Sequence, residues 1–158
     1  MERPVVDLAQ AGDQHAARGG ARPRVLLAAD GSPVSLAAVG RFLADAKRDA
    51  VVIDLLNVQV PVHRDVANFV AEDAVKDLHH EEGMKALEPA RALIERAGVP
   101  CTVHIGVGDF AHVVAHYANT LGATQVYVTE TERAEGSDLS EAVAAMAEHT
   151  RVPVAVVR

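Results

Sequence analysis

From Arg24 onward the chain alternates two patterns: short unbroken apolar runs, and longer stretches in which apolar residues return every three or four positions. Val25-Leu26-Leu27-Ala28-Ala29 is the first run. Its shortness and lack of polar alternation predict a strand buried on both faces. It stops at Asp30-Gly31-Ser32-Pro33, where Ser32 is placed to cap a helix and Pro33 falls in a first turn that tolerates proline. Leu36, Val39, Leu43 and Ala46 keep helical spacing, which predicts a helix over 33–48. A second strand is predicted over 51–60, broken by Asp54 and Asn57 and closed by Pro61. Residues 62–98 exceed an average helix. Phe69, Val75 and Leu78 suggest a first piece; Met84, Leu87, Arg91 and Ile94 continue toward Gly98 as a stop, and Pro89 either bends the segment or starts a second helix. A third strand covers 99–105, and Gly106-Val107-Gly108-Asp109 makes the next turn with Asp109 as a helix cap. Val113, Val114, Tyr117, Ala118 and Leu121 form an amphipathic stripe that Gly122 ends. A fourth strand follows over 125–129. Asp138 and Glu141 read as a capping box for a helix over 139–149, and a fifth strand spans 152–157.

Strands alternating with helices predict one parallel sheet with helices on both faces, joined by right-handed crossovers. Such a sheet binds ligands beyond the carboxyl ends of its strands, where the strand order reverses. The expected organisation is a flexible N-terminal arm over 1–22, polar and ending near Gly19-Gly20, followed by one α/β domain over 23–158. Within the arm, Pro4-Val5-Val6-Asp7-Leu8 has the composition to pack as a short strand or turn.

Composition narrows the function classes. Ala (29) and Val (25) dominate the apolar content while aromatics make up only 3%. Small and β-branched residues suit buried strands under helices, whereas stacking on single-stranded nucleic acid needs exposed aromatics. Fifteen Lys and Arg against 22 Asp and Glu give a net charge of −7, which repels duplexes, polyphosphates and anionic lipids at long range. No apolar run approaches the roughly 18 residues that span a bilayer, and the first twenty residues hold no sustained apolar stretch of the kind a secretory leader needs. Cys101 is the single cysteine, so an internal disulfide and a cysteine-built zinc site are excluded, and its apolar strand predicts a buried, inert thiol. A cytoplasmic protein that binds neither nucleic acid nor membrane is the expectation.

Candidate chemistry lies in the loops after the strands: Asp30-Gly31-Ser32, Asn57-Val58-Gln59, Gly106-Val107-Gly108-Asp109 and Thr129-Glu130-Thr131-Glu132. Asp30-Gly31-Ser32 reads either as a turn with a helix cap or as part of a ligand site. A phospho-acceptor site would want a second acid beside Asp30 and a lysine after the fifth strand, and neither is present. No G-x-S-x-G elbow supports hydrolase chemistry. Among the histidines, His79 and Glu82 share a helical face but make half a metal site, short of the four ligands of a structural one. The predicted setting of His79, His80, Glu81 and Glu82 is a solvated helical face. His112 and His116, four apart, lack the glutamate that follows the first histidine in zinc helices, and are predicted on the surface.

RVLLAADGSPVSLAAV resembles the opening of universal stress proteins: an apolar strand, D-G-S, then a helix of small residues. GVGDFAHVVAHYANTLGATQVYV is similar to their third crossover, and HTRVPVAVVR to their close. The three segments in order cover about 24–158. The resemblance implies a five-stranded parallel sheet of order 3-2-1-4-5, of the universal-stress or adenine-nucleotide alpha-hydrolase-like type, commonly paired as a homodimer along the last strand. It implies further that Asp30 sits at the adenine and ribose end of a nucleotide pocket, with Val58 lining the base; Gly31, Ser32 and Thr129 complete the remnant.

Many members of that family bind ATP through G-x2-G-x9-G-[ST] after the fourth strand, where glycines let backbone N–H groups approach phosphate. This chain departs from the pattern. Thr129 and Glu132 occupy the first two glycine positions; the last pair falls on Ala142-Val143, or on Ser140-Glu141 when counted from the chain end. Gly136-Ser137 comes too early. Glu130, Glu132, Glu135 and Asp138 add negative charge offset by Arg133 alone. A carboxylate about 4 Å from a phosphate charge costs on the order of 4 kcal/mol at an effective dielectric of about 20. Mg²⁺ can bridge acid and phosphate, which leaves room for ATP. The resemblance therefore implies a non-catalytic stress or regulatory binding protein without tight ATP binding and without a bound cofactor. The alternative is a nucleotide-binding protein for ATP or AMP, with Mg and a rebuilt phosphate site and slow hydrolysis left open. A third reading is a structural subunit pairing with an unidentified protein. An open apolar edge at 152–157 favours coverage by a twofold partner, hence a homodimer through that strand.

Overall fold

The computed structural model describes residues 22–45, 51–59, 72–130 and 139–158. They form five strands, β1 (Arg24–Ala28), β2 (Val52–Gln59), β3 (Cys101–Val107), β4 (Gln125–Thr129) and β5 (Val154–Val157). Four helices alternate with them: α1 (Pro33–Asp45), α2 (Glu72–Arg96), α3 (Phe110–Leu121) and α4 (Leu139–Ala147). Every strand pairing is parallel and the order is β3-β2-β1-β4-β5, as expected. The order reverses at β1, whose Ala28 pairs with Leu56 of β2 on one side and Val128 of β4 on the other.

The unbroken apolar run of β1 has a direct cause. Val25 and Leu27 enter one core with Phe42 of α1 and Leu87, Ala90 and Ile94 of α2. Leu26 and Ala28 enter a second, with Val114 and Ala118 of α3 and Met146 of α4. Both faces of the strand are therefore dry, and neither parity tolerates a polar residue without a partner.

α2 corrects two expectations. It is one helix from Glu72 to Arg96 that runs through Pro89, so Pro89 does not start a second helix, and Phe69 of the predicted first piece lies outside the described residues. Pro89 is exposed, as is Lys85, whose carbonyl the proline deprives of its amide donor within the helix. Its buried stripe is His79, Gly83, Leu87, Ala90 and Ile94, while Leu78 and Met84 are exposed. His79 is thus buried, not on a solvated face. Gly83 belongs to the stripe because a Cβ there would lie 2.7 Å from Ile105 Cδ1, so only glycine lets the helix approach β3 this closely.

Other limits shift modestly. α1 is described to Asp45, and 46–48 of its predicted span lie outside the described residues. β3 begins and ends two residues later than predicted. α4 ends at Ala147, and Thr150 accepts the Val152 amide before β5 begins. Residues 1–21 of the expected arm, and Asp138 of the expected capping box, lie outside the described residues. Among the described residues no helix is long and apolar enough to cross a membrane.

Asp54, which interrupts the second apolar run, is fully buried and fully used. Arg24 donates to it twice, Nε to Oδ2 at 3.0 Å and Nη2 to Oδ1 at 2.9 Å. His104 Nε2 adds a contact to Oδ1 at 2.9 Å; a carboxylate only accepts, so this nitrogen carries the proton. The charge sits in the interior because the bidentate guanidinium meets it there.

Candidate functional site

The carboxyl end of β1 opens at the strand reversal. Asp30 is exposed there, and its Oδ1 accepts the Ser32 amide at 2.9 Å. Ser32 Oγ in turn accepts the Ser35 amide at 3.1 Å, which makes Ser32 the N-cap of α1 as its position before Pro33 predicts. Gly31 between them has φ 84°, and an added Cβ would stand 2.6 Å from the Ala86 carbonyl oxygen of α2. The glycine is thus fixed by its backbone conformation and by the close approach of a helix.

Behind this turn lie two fully buried hydroxyls whose proton order can be deduced. Thr129 Oγ1 donates to the Ala28 carbonyl at 3.2 Å, so in its 2.6 Å contact with Ser35 Oγ it must accept. Ser35 donates that proton and accepts the Asp30 amide at 3.2 Å. Thr129 therefore clasps β4 to β1 beneath the reversal. Val58 is half-buried and packs on the α3/α4 core, so its side chain belongs to the layer opposite α1 and α2. Of the five predicted site residues, Asp30, Gly31 and Ser32 form one turn, Thr129 locks it from below, and Val58 stands on the next strand.

Sequence reasoning missed a second polar chain. Asn57 Nδ2 donates to the Ala29 carbonyl at 2.9 Å, and Asn57 Oδ1 accepts from Gln59 Nε2 at 2.6 Å. Gln59 Oε1 lies 3.5 Å from His79 Nδ1. The chain crosses the carboxyl edge from β1 through β2 to α2. His79 is 6% exposed, and its Nε2 is buried with no partner among the described residues. The available signal was the helical count back from Ile94 through Ala90, Leu87 and Gly83, which lands on His79. Leu78 and Met84 drew the predicted stripe elsewhere.

The remaining candidates resolve into structure. Gly106 admits α3 closely, since a Cβ would meet Val113 Cγ1 at 2.4 Å. Asp109 caps α3 by accepting the His112 amide at 3.1 Å, with His112 Nδ1 at the same distance. These two contacts, the amide first, hold its carboxyl below the usual range. His112 and His116 are exposed as predicted, and His112 stacks on His149 with ring centroids 4.0 Å apart. Burial, aided by the Asp54 and Glu95 charges, pushes the Cys101 thiol up to about 12, which keeps it protonated and unreactive at neutral pH. Among the described residues no group of three His, Cys, Asp or Glu is placed to hold a metal, and Glu82 is exposed while His79 is buried.

Past β4, the Glu130 amide donates to the Val157 carbonyl at 2.8 Å and its carboxylate lies 3.9 Å from Arg158. Ala142-Val143 and Ser140-Glu141, the two candidate positions for a terminal glycine pair, are all inside α4. Glu132, Arg133, Glu135 and Gly136-Ser137 lie outside the described residues. A separate cavity of about 510 Å³ opens between α1 and β5, with Phe42, Tyr127 and Val157 in its wall and Arg41 and Arg158 at its rim; no predicted site residue lines it.

A five-stranded parallel sheet with helices on both faces and its strand order reversed at β1 defines a doubly wound α/β fold. The universal stress protein family's sequence profile matches residues 22–158, and the chain belongs to that family. Comparison with curated protein sequences finds no match. Solved structures share the fold. A universal stress family protein from Burkholderia pseudomallei is 21% identical, with TM-score 0.64, over 86% of this chain and 96% of that one. One from Arabidopsis thaliana with AMP bound is 21% identical, with TM-score 0.59, over 85% and 90%. The universal stress protein from Archaeoglobus fulgidus in complex with dAMP is 12% identical, with TM-score 0.58, over 86% and 97%.

Proposed function

We propose that this chain is a non-catalytic regulatory protein of the stress response that binds a purine nucleoside monophosphate at the carboxyl edge of β1 and β2 and does not bind ATP tightly. One observation carries the reading. The Asp30 carboxylate is exposed at the strand reversal and aimed by the Ser32 amide, with Oδ2 free of partners among the described residues. A carboxylate so held accepts hydroxyl donors of a sugar. The relatives from Arabidopsis thaliana and Archaeoglobus fulgidus, with AMP and dAMP, support the ligand class. Glu130 beside β4, and non-glycine residues where a phosphate loop would need glycine, disfavour a polyphosphate, with or without Mg.

Titration calorimetry tests it. AMP is expected to bind with micromolar affinity, ATP with Mg²⁺ at least about tenfold more weakly, and Asp30→Ala to weaken AMP about tenfold, the worth of one charged hydrogen bond. Absence of AMP binding at millimolar concentration would sink the reading.

The same proposal places the protein in the cytoplasm as a homodimer through 152–157. Support comes from β5, whose four apolar residues are half-buried and whose outer edge pairs with no strand among the described residues. Val156→Lys is expected to halve the mass in light scattering. An unchanged dimer would place the interface elsewhere.

A further inference from the structure

The polar chain Ala29–Asn57–Gln59–His79 has one direction only. Its anchor is a backbone carbonyl, which can only accept, so the Asn57 group facing Ala29 is the amide NH₂. Asn57 then presents its oxygen to Gln59, and Gln59 must present NH₂ to Asn57 and its own oxygen to His79. An oxygen accepts; the His79 nitrogen facing it, Nδ1, therefore carries the ring proton. In the neutral imidazole this leaves Nε2 as a bare lone pair. Two amides and one carbonyl thus set the tautomer of a histidine on a different element. The nitrogen left as acceptor is the one buried polar side-chain atom without a partner among the described residues.

An acceptor buried without a donor is costly, and buried polar atoms in native proteins are paired with few exceptions. The partner missing here must be a donor. We propose that His79 Nε2 is a ligand-recognition group that accepts a hydrogen bond from the exocyclic amino group of an adenine base. The inference rests on the nucleotide reading above and names the base that this site selects. Position argues for the base rather than the sugar or phosphate. The chain starts at the Ala29 carbonyl, next to the sugar-directed Asp30, and leads away from it through Asn57 and Gln59 to α2, on the face opposite Val58, while a phosphate oxygen accepts and cannot supply the missing donor. A metal as the missing partner has no support, because no further His, Cys, Asp or Glu ligands gather around His79 among the described residues.

The test compares AMP with purine riboside 5′-monophosphate, which lacks only the amino group, on wild type and on His79→Phe. Wild type is expected to prefer AMP about tenfold, the worth of one hydrogen bond to a buried acceptor. His79→Phe is expected to bind both nucleotides equally. A preference that persists in the variant overturns the proposal and leaves the nucleotide reading standing. Failure of both nucleotides to bind wild type removes the reading and the proposal together. A measurement on the unmutated protein guards against a variant that fails to fold. Nitrogen-15 NMR of the imidazole is expected to show a protonated Nδ1 and a bare Nε2 for His79; a protonated Nε2 overturns the proposal.

Discussion

Two buried polar chains start on β2, three residues apart, and end differently. Asp54 sits on the α3/α4 side of the sheet and closes on Arg24 and His104. Asn57 sits on the α1/α2 side, nearer the carboxyl edge, and its chain ends on an unpaired nitrogen. The first network is complete in itself and ties three neighbouring strands together. The second is complete but for one hydrogen bond. Burial alone does not separate a structural polar group from a ligand-directed one; what separates them is whether the hydrogen-bond account closes within the protein.

That contrast can be broken at its closed end first. Asp54→Asn removes the negative charge on which Arg24 and His104 converge, and is expected to cost about 3 kcal/mol in urea unfolding, at the low end for a buried pair because Arg24 is partly exposed. AMP affinity should be unchanged; a variant as stable as wild type would mean that the network contributes little. Thr129→Val keeps the shape of the clasp under the reversal but leaves the Ser35 hydroxyl and the Ala28 carbonyl without their partner. The expected cost is about 1–2 kcal/mol by the same measurement, and a smaller loss would show that the two hydroxyls do not hold β1 to β4. At the open end, His79→Phe gives up only a long contact to Gln59 and removes an unpaired nitrogen, so its stability should stay within about 1 kcal/mol of wild type. A large loss there would make His79 structural and erase the contrast.

The sequence carried the fold well because both of its signals were strong. Unbroken apolar strands alternating with helical stripes predict one parallel sheet, the resemblance to universal stress proteins supplies its strand order, and the D-G-S turn and the Asp109 cap sit where their chemistry places them. The site was legible only in part. Asp30 and Ser32 act within their own turn, so local sequence contains their geometry. The partner of Asn57 is Gln59, that of Gln59 is His79, and the last link spans 20 residues of sequence. No local pattern encodes it. The stripe that would have placed His79 inward was disguised by glycine at one turn and by exposed Leu78 and Met84 at others. Asp54 and Asn57 read as interruptions of a strand, and each turned out to be the origin of a network.

The length of α2 has a consequence for the shape of the crevice. Its 25 residues extend roughly 37 Å, whereas the eight residues of β2 extend roughly 26 Å. Counting back from Arg96, His79 is reached after roughly 26 Å, level with the end of the strand, and the first two turns continue about 10 Å past it. The helix is therefore longer than its return across the sheet requires. Its surplus stands beyond the strand ends as a side wall, so this flank of the crevice is built from regular helix.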